Sequence, residues 1–402
     1  MKEAFLVGGM RTPIGRYGGA LRTVRADDLA ALVLTRILEA HPSGEPAAVD
    51  DVVMGCANQA GEDNRNVARM ALLLAGLPDS VPGVTLNRLC ASGMNAVTYA
   101  AAMIRSGMGD LFLVGGVEHM TRSPYVMTKP GEAFSRSVEI YDTSLGWRFV
   151  NPKMLKRYGV DSMGETAEHV AEQYGIARED QDRFALWSQE KTRAATSSGR
   201  LRKEITPVEV AEGKQRALVD TDEFPRPETT LEKLAALKPA FRKDGKGSVT
   251  AGNSSGLNDG AAAMFVASEE ALKRFSLTPI ARVVSWASAG VDPRTMGMGP
   301  VPSSRAALKK ASLDLSSMDV VELNEAFAAQ VLASVRALGI DDQDARLNPN
   351  GGAIALGHPL GMSGARLILT AARELQEKKK RYALATMCVG VGQGMATIIE
   401  RA

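Results

Sequence analysis

The sequence has few cysteines, and their spacing excludes two classes of protein. Only three of the 402 residues are cysteine, and no two of them form a Cys-x-x-Cys pair. An odd number of unpaired thiols argues against a disulfide framework and against a structural zinc site. Free thiols are typical of proteins in a reducing compartment. We therefore expect a cytoplasmic protein.

Net charge, aromatic residues and long apolar runs are also scarce. The 48 Lys and Arg nearly balance the 46 Asp and Glu, and aromatic residues make up only 5% of the chain. The sequence therefore predicts neither a basic face for nucleic acid nor a platform for stacking bases. No segment approaches the ~18 apolar residues of a membrane-spanning helix. The apolar run at the start is too short for a signal peptide and predicts a strand instead. We expect no nucleic-acid or membrane partner.

Glycine is abundant, and it surrounds the residues that can carry chemistry. Cys90 lies in NRLCASGMN, His358 in GGAIALGHPLG and Cys388 in MCVGVGQG. Glycine lets the backbone approach a ligand closely and present its N–H groups. Because Cys90 precedes a helical pattern, we expect the helix N-terminus to lower the pKa of its thiol. This predicts a nucleophile, against the alternative of a small buried apolar residue.

Three further polar residues each allow two interpretations. His358 is either a general base that titrates near neutrality or a loop histidine that holds a turn. Cys388 ends a strand and is a candidate acid or base. Asn324 follows a strand directly, where it can cap a helix or reach the edge at which α/β folds place their sites. Neither the GxxxxGK[ST] loop nor GxGxxG in a βαβ setting is present.

Hydrophobic periodicity predicts two similar α/β halves with an insertion between them. Strands are expected near 4–7, 51–55, 110–116, 319–323 and 382–387, and helices near 26–40, 95–106, 178–197 and 364–377. Twice, a glycine-rich loop with a reactive residue precedes a helix that leads into a strand, which indicates an internal duplication. We predict an N-terminal half at 1–120, completed by 251–272. The inserted domain is expected at 121–250, and the C-terminal half at 273–402.

Five motifs in order give the chain a resemblance that covers essentially its whole length. They are Asn87–Ala96 (NRLCASGMNA), Thr250–Ala263 (TAGNSSGLNDGAAA), Asn324–Ala328 (NEAFA), Asn348–Gly364 (NPNGGAIALGHPLGMSG) and Cys388–Gly394 (CVGVGQG). With these motifs the chain resembles the thiolases. The resemblance implies the α/β thiolase fold, in which two duplicated halves form a five-layered αβαβα core and carry an inserted loop domain.

The resemblance also implies a ping-pong acyl transfer and a role for each reactive residue. Cys90 would attack the 3-oxo carbonyl of a 3-oxoacyl-CoA while His358 takes its proton, and Cys388 would protonate the released carbanion. One oxyanion hole would consist of His358 and a water held by Asn324. The other would consist of the backbone N–H groups of Cys90 and Gly390.

Binding partners follow from the same resemblance. Ser255 would contact the pantetheine arm of CoA, and Arg226 would lie near the CoA nucleotide. The expected partners are acyl-CoA and CoA, with CoA as co-substrate and with no covalently bound cofactor and no metal. The chain is also expected to form a homo-oligomer, either a dimer or a dimer of dimers.

One departure from the family pattern narrows the substrate class. Short-chain biosynthetic thiolases carry His-Met-Gly where this chain has Ser162-Met163-Gly164. The stretches 145–152 and 158–163 resemble 3-oxoadipyl-CoA thiolases, which make succinyl-CoA and acetyl-CoA. Such a substrate ends in a carboxylate, which needs a cation or several donors.

Four basic residues are candidates to bind that carboxylate: Arg148, Lys153, Lys156 and Arg157. The alternative for each of them is a surface charge with no role in binding. The alternative functions are a fatty-acid 3-oxoacyl-CoA thiolase, an acetoacetyl-CoA thiolase and, more remotely, a non-catalytic acyl-CoA or lipid-binding protein.

Overall fold

The computed structural model describes residues 2–43, 45–213 and 215–402. The strands are β1 Phe5–Arg11, β2 Gly15–Arg16, β3 Asp51–Gly55, β4 Gly83–Leu86, β5 Leu111–His119, β6 Tyr125–Met127, β7 Ile140–Asp142, β8 Val208–Glu212, β9 Gln215–Val219, β10 Asn258–Ala267, β11 Pro279–Gly290, β12 Val320–Leu323, β13 Tyr382–Val389 and β14 Gln393–Arg401. The α-helices are α1 Ala26–Ala40, α2 Val67–Leu74, α3 Ser92–Arg105, α4 Pro152–Tyr158, α5 Met163–Tyr174, α6 Arg178–Ser197, α7 Leu231–Ala235, α8 Glu269–Arg274, α9 Pro300–Ala311, α10 Ala328–Leu338, α11 Ala353–Leu356 and α12 Leu360–Lys378. No helix in these described ranges is both long and apolar enough to span a bilayer.

The large sheet has a mirrored strand order that confirms the predicted duplication. Its order is β12-β13-β14-β11-β1-β10-β5-β3-β4, with β2 paired to β10. The two halves meet where β1 pairs with β11. In the first half β3 runs parallel to β4 and β5, and in the second β12 runs parallel to β13. A parallel bridge between Val321 and Leu347 takes the place that β4 occupies in the first half.

Helices cover both faces of each half, which produces the five predicted layers. The order is α1 and α2, the first half-sheet, α3 and α12, the second half-sheet, and then α9 and α10. The central helices bury one apolar cluster that includes Met94 and Val97 of α3 with Ala365 and Ile368 of α12. Such helix-on-sheet layers form because each sheet face and each helix stripe must be covered by another apolar surface.

The two central helices touch at their N-terminal ends, and glycine makes this contact possible. A Cβ on Gly93 would lie 2.5 Å from the Gly361 carbonyl oxygen, and one on Gly364 would lie 2.4 Å from the Met94 nitrogen. No side chain fits at either position. Cys90 directly precedes α3 and His358 directly precedes α12, so this close crossing brings the two reactive residues to one place.

The insertion predicted at 121–250 contributes none of its described residues to the large sheet. It holds α4 to α7 and the two hairpins β6–β7 and β8–β9. A buried ion cluster ties it to the core, since the Arg11 guanidinium of β1 donates to Glu204 at 3.0 Å and to Asp222 at 2.6 and 2.9 Å. Burial opposes ionisation of Glu204, but Arg11 and Arg200 hold its pKa below the ordinary value.

Candidate active site

A pocket of about 130 Å³ opens where the equivalent loops of the two halves meet. Three of the sequence-predicted reactive residues, Cys90, His358 and Cys388, line it, and so does Ser255. The other residues that line the pocket are Met120, Leu145, Ser162, Met163, Gly164, Phe241, Ser254, Gly256, Leu257, Met296, Ala326, Phe327 and Leu360. The walls are mostly apolar, so water is largely kept from the reactive groups.

Cys90 lies in the 3₁₀ turn Leu89–Ala91 that leads into α3. Two influences compete on its thiol: burial raises the pKa, whereas the nearby backbone N–H groups of Gly390 and of Cys90 itself lower it. The predicted lowering of the thiol pKa was wrong: burial outweighs these donors and raises the pKa of Cys90 to about 11. In the free protein the thiol is therefore protonated at neutral pH, and a neighbouring base must take its proton as it attacks.

His358 lines the same pocket, and its contacts define its tautomer. Its Nδ1 lies 2.6 Å from Ser363 Oγ, whose single proton is donated to the Pro359 carbonyl at 2.8 Å. Nδ1 must therefore be the nitrogen that carries hydrogen. Its Nε2 lies 3.3 Å from the Asn324 amide nitrogen, which can only donate. Both contacts assign Nε2 as the unprotonated nitrogen of the ring.

The protonation state of His358 agrees with a base. Burial, together with the positive charge of Arg366, lowers its pKa to about 3. The imidazole is thus neutral across the physiological range and can accept a proton once negative charge develops nearby. Its backbone is fixed as well, since the His358 N–H donates to Asn258 Oδ1 at 2.9 Å.

Asn324 lies at the end of β12 and is completely buried. Its backbone N–H donates to the Thr386 carbonyl at 3.0 Å, which aligns it with β13. Its Oδ1 has no hydrogen-bond partner. A buried acceptor without a partner is costly unless water or a ligand fills the place. Of the two sequence interpretations, the helix cap is wrong, because α10 begins only at Ala328 with Phe327 as its N-cap.

Cys388 is the penultimate residue of β13 and is completely buried. Burial raises the pKa of its thiol, and the nearby Cys90 raises it further. Cys388 is therefore a neutral thiol, which suits a group that delivers a proton to a carbanion.

Two carboxylates that hold this site together carried no signal in the sequence. Glu325 accepts hydrogen bonds from Ser188 Oγ at 2.6 Å, from Asn348 Nδ2 at 2.8 Å and from the Ile354 N–H at 3.2 Å. It thereby fastens the loop before His358 to the NEAFA segment. Its position inside that motif was the one available hint.

Glu118 is the second of these carboxylates and lies near Cys90 on β5. It accepts the N–H groups of Ala57, Asn58 and Gly361 at 3.0, 3.0 and 2.8 Å. Burial raises its pKa to about 7, although these donors oppose the rise. With Cys56 and Asp63 it forms a group of metal-ligand type. Its carboxylate oxygens are already occupied by these N–H groups, and the Cys56 thiol donates to Asp63 at 3.4 Å.

The predicted CoA-contacting residues lie at different depths. Ser255 lines the pocket beside Cys90. Arg226 lies farther out, in a cleft that shares Leu257 with the pocket, and its guanidinium stands 5.6 Å from the Phe224 ring centroid. Its backbone N–H donates to Gln189 Oε1 at 2.9 Å.

The four candidates for a substrate carboxylate are not equivalent. Lys153, Lys156 and Arg157 lie on the exposed helix α4, outside the pocket lining. Arg148 is half-buried, three residues beyond the pocket residue Leu145, and its Nη2 lies 3.2 Å from Asn58 Oδ1. Among the ion pairs of the described residues, Arg148 has no carboxylate partner.

Comparison with known proteins places this architecture in a family. The thiolase N-terminal domain matches residues 4–270, and the thiolase C-terminal domain matches residues 277–401. A 3-oxoadipyl-CoA/3-oxo-5,6-dehydrosuberyl-CoA thiolase of Escherichia coli is 59% identical, and a beta-ketoadipyl-CoA thiolase of Pseudomonas putida is 58% identical. Both alignments cover 100% of each chain. The crystal structure of the Bacillus anthracis acetyl-CoA acetyltransferase matches with a TM-score of 0.93 and 42% identity. That match covers 100% of this chain and 99% of the other.

Proposed function

The chain belongs to the thiolase family of acyltransferases, and from that premise we propose that it cleaves 3-oxoadipyl-CoA with CoA into succinyl-CoA and acetyl-CoA. Full-length relatives at 58–59% identity that carry 3-oxoadipyl or beta-ketoadipyl names, which denote the same acyl group, support this substrate. The observation that carries the proposal is the arrangement at Cys90. Cys90 opens to the pocket that His358 and Cys388 also line, and the backbone N–H groups of Cys90 and Gly390 lower the pKa of its thiol against the effect of burial.

The first step forms an acyl-enzyme. As the Cys90 sulfur attacks the C3 carbonyl, its proton passes to Nε2 of His358, the nitrogen left unprotonated by the Ser363 contact. Oxygen charge develops at C3 and must be stabilised by donors already in place. The C2–C3 bond then breaks, leaving a succinyl thioester on Cys90 and the enolate of acetyl-CoA.

The enolate is stabilised and then protonated. Its oxygen would be held by His358 and a water on Asn324, whose buried Oδ1 lacks a partner. The neutral Cys388 thiol delivers a proton to the carbanion, and acetyl-CoA leaves. In the reverse direction the Cys388 thiolate removes that same α-proton.

The second half-reaction returns the enzyme to its starting state. Free CoA, bound along Ser255 with its nucleotide near Arg226, gives its thiol proton to the Cys388 thiolate and attacks the thioester on Cys90. The bond between the carbonyl carbon and the Cys90 sulfur then breaks, succinyl-CoA leaves, and His358 returns its proton to Cys90. The tetrahedral oxygen would be received by the N–H groups of Cys90 and Gly390, the same groups that lower the pKa of the Cys90 thiol. No metal ion and no covalently bound cofactor enters this scheme.

Arg148 is proposed as the cation that receives the distal carboxylate. It is half-buried and lacks a carboxylate partner among the ion pairs described, whereas Lys153, Lys156 and Arg157 are exposed. A charge-assisted hydrogen bond contributes about 1.5–3 kcal/mol. Arg148→Met should therefore raise KM for 3-oxoadipyl-CoA about 10- to 100-fold and leave KM for the uncharged 3-oxohexanoyl-CoA nearly unchanged.

Lys156→Met is the matched control for Arg148, because it removes an exposed cation of the neighbouring helix. It should alter neither KM. Equal effects of Arg148→Met on the two substrates would overturn the assignment of the carboxylate site, while the thiolase mechanism would stand.

The reaction itself is tested by trapping the intermediate. Incubation with 3-oxoadipyl-CoA in the absence of free CoA should release acetyl-CoA and add one succinyl group to the peptide that contains Cys90. Cys90→Ser should carry no thioester. Release of acetyl-CoA without a succinyl adduct on Cys90, or no reaction with any 3-oxoacyl-CoA, would overturn the proposed function.

The assembly and the location are part of the same proposal. Apolar side chains of the 125–158 segment are exposed, which supports a surface that a second copy of the chain covers; they include Tyr125, Met127, Phe134, Ile140, Phe149 and Leu155. We propose a dimer or a dimer of dimers, to be tested by sedimentation equilibrium. A monomer at micromolar concentration would contradict it. The three free cysteines support a reducing, cytoplasmic location.

The domain boundaries also belong to the proposal. The matched family segments meet between residues 270 and 277, close to the boundary at 272/273 that the sequence predicts. Residues 121–250 form the proposed loop domain.

A further inference from the structure

Two residues with left-handed backbone flank the N–H groups that face the Cys90 sulfur. Leu89, with φ of 47°, directly precedes Cys90, and Val391, with φ of 63°, directly follows Gly390. For a β-branched residue such a φ is an outlier, and a residue of this kind costs of order 1–3 kcal/mol. It persists only where the surrounding contacts hold it. The turn at Val391 is closed by the β13–β14 ladder, which pairs Val389 with Gln393, whereas the turn at Leu89 lies outside any strand.

The two turns also lie against each other. A Cβ on Gly390 would lie 3.2 Å from Leu89 Cδ1, so the backbone of one turn packs on the side chain of the other. Behind Val391, the Gly392 carbonyl accepts the Val291 N–H at 2.8 Å. This bond ties the second turn to the residue that follows β11, so polar contacts between the second turn and the turn of Cys90 must come from elsewhere.

The side chain of Arg88 provides those contacts. Its Nη1 donates to Gln393 Oε1 at 3.2 Å, across the boundary between the two halves. Its Nε donates to Asn95 Oδ1 at 2.5 Å, and its backbone N–H donates to Ser92 Oγ at 2.9 Å. Arg88 thus joins the turn of the nucleophile, the first turns of α3 and the Gly390–Gln393 turn.

We propose that Arg88, acting through Gln393, is a positioning residue that holds the turns of Cys90 and Gly390 together, so that their N–H groups are in place to receive the thioester oxygen. This inference rests on the proposed function, because the two N–H groups matter for catalysis only if Cys90 carries the acyl group. Arg88 lies outside the pocket lining and touches no reacting atom. Its effect should therefore be on the rate of the chemistry and not on the binding of acyl-CoA.

The test is a double-mutant cycle on kcat and KM. Removing an oxyanion-hole donor costs about 100- to 1,000-fold, so mispositioning two of them through Arg88→Met should lower kcat about 10-fold or more, with KM within about twofold. Gln393→Leu removes the same bond from the other side and should produce a similar loss. The double variant should be no slower than either single one, since both remove one interaction. Gln393→Glu retains an acceptor for Arg88 and should keep kcat near that of the unmodified protein.

Arg105→Met is the matched structural control. Arg105 lies at the opposite end of the same helix, stacks 5.0 Å from the Trp286 ring centroid and donates to the Val283 carbonyl at 2.6 Å, again joining the two halves. It should lower the melting temperature and leave kcat unchanged.

The outcomes separate the inference from the function on which it rests. Three results would overturn the positioning role. The first is that the losses in kcat at Arg88 and Gln393 multiply in the double variant. The others are a change in KM alone, and an Arg88→Met protein as active as Arg105→Met. In each of these cases turnover by the unmodified protein preserves the proposed function. No thioester on Cys90 in the unmodified protein would overturn both.

Discussion

Replacing Ser363 with alanine tests the assignment of His358 as the base that activates Cys90. Ser363 Oγ accepts from His358 Nδ1 at 2.6 Å and donates to the Pro359 carbonyl at 2.8 Å. Without the hydroxyl, the buried Nδ1–H has no acceptor. The tautomer with its proton on Nδ1 is then no longer favoured. A ring with its proton on Nε2 cannot accept the proton of Cys90 at that nitrogen. The helix itself should survive, because the Ser363 backbone N–H still donates to Pro359 at 2.9 Å.

The expected size of the loss follows from the cost of that unpaired group. A buried donor without a partner costs about 1–3 kcal/mol. If about 1.4–2.7 kcal/mol of this is expressed in the transition state, kcat/KM falls about 10- to 100-fold. Steady-state cleavage of 3-oxoadipyl-CoA measures the loss, and Ser363→Thr, which keeps a hydroxyl, should recover most of it.

Ser303→Ala is the control for general damage to a helix. Ser303 is a buried helical serine whose Oγ donates to the carbonyl four residues back, that of Gly299, at 2.9 Å, and it contacts no histidine. An equal loss in Ser303→Ala and Ser363→Ala, or full activity of Ser363→Ala, would refute the tautomer argument.

Three further predictions concern titration and stability. Because burial raises the pKa of Cys90 to about 11, its alkylation by iodoacetamide should accelerate about tenfold per pH unit from pH 7 to 9; a plateau below pH 8 would contradict this. The folded protein keeps His358 neutral down to about pH 3, whereas the unfolded chain binds a proton below about 6.5, so acid favours unfolding. As the pH is lowered below 6, the free energy of unfolding should therefore fall less steeply for His358→Gln than for the unmodified protein, by up to about 1.4 kcal/mol per pH unit. Urea titrations measure both slopes, and equal slopes would contradict the prediction. Arg11→Met removes the arginine that pairs with buried Asp222 and one of the two arginines that pair with buried Glu204, and it should cost about 3–5 kcal/mol. Arg36→Met at an exposed pair should cost under about 1 kcal/mol; similar values for the two would contradict the buried cluster.

The bounds of helices were predicted well where the hydrophobic periodicity of the sequence alone determines the helix. The bounds expected for α1 and α6 agree with the structure at both ends, since each has a continuous amphipathic stripe. The starts of α3 and α12 were predicted three and four residues late. Glycine argues against helix in any local analysis, whereas Gly93 is required by the close contact with α12 and Gly361 by the close approach of α12 to the backbone of β3 and β5.

Properties that depend on distant parts of the chain were not accessible from the sequence. The predicted fall in the Cys90 pKa was wrong because burial, which no local pattern reveals, outweighs the donors at the helix end. Arg88 and Gln393 are 305 residues apart, and their hydrogen bond exists only because the halves pack face to face. The glycine-rich loops nevertheless singled out Cys90, His358 and Cys388, which the fold brings together in the lining of one pocket.

The central claim is tested most directly by kcat/KM for CoA-dependent cleavage of 3-oxoadipyl-CoA, 3-oxohexanoyl-CoA and acetoacetyl-CoA, with Cys90→Ser as the inactive control. We predict that 3-oxoadipyl-CoA is the best substrate by at least about 10-fold, the smallest effect expected of one charge-assisted contact. Equal or better cleavage of either uncharged substrate would contradict the proposed specificity. Turnover of none of the three would contradict the thiolase mechanism itself.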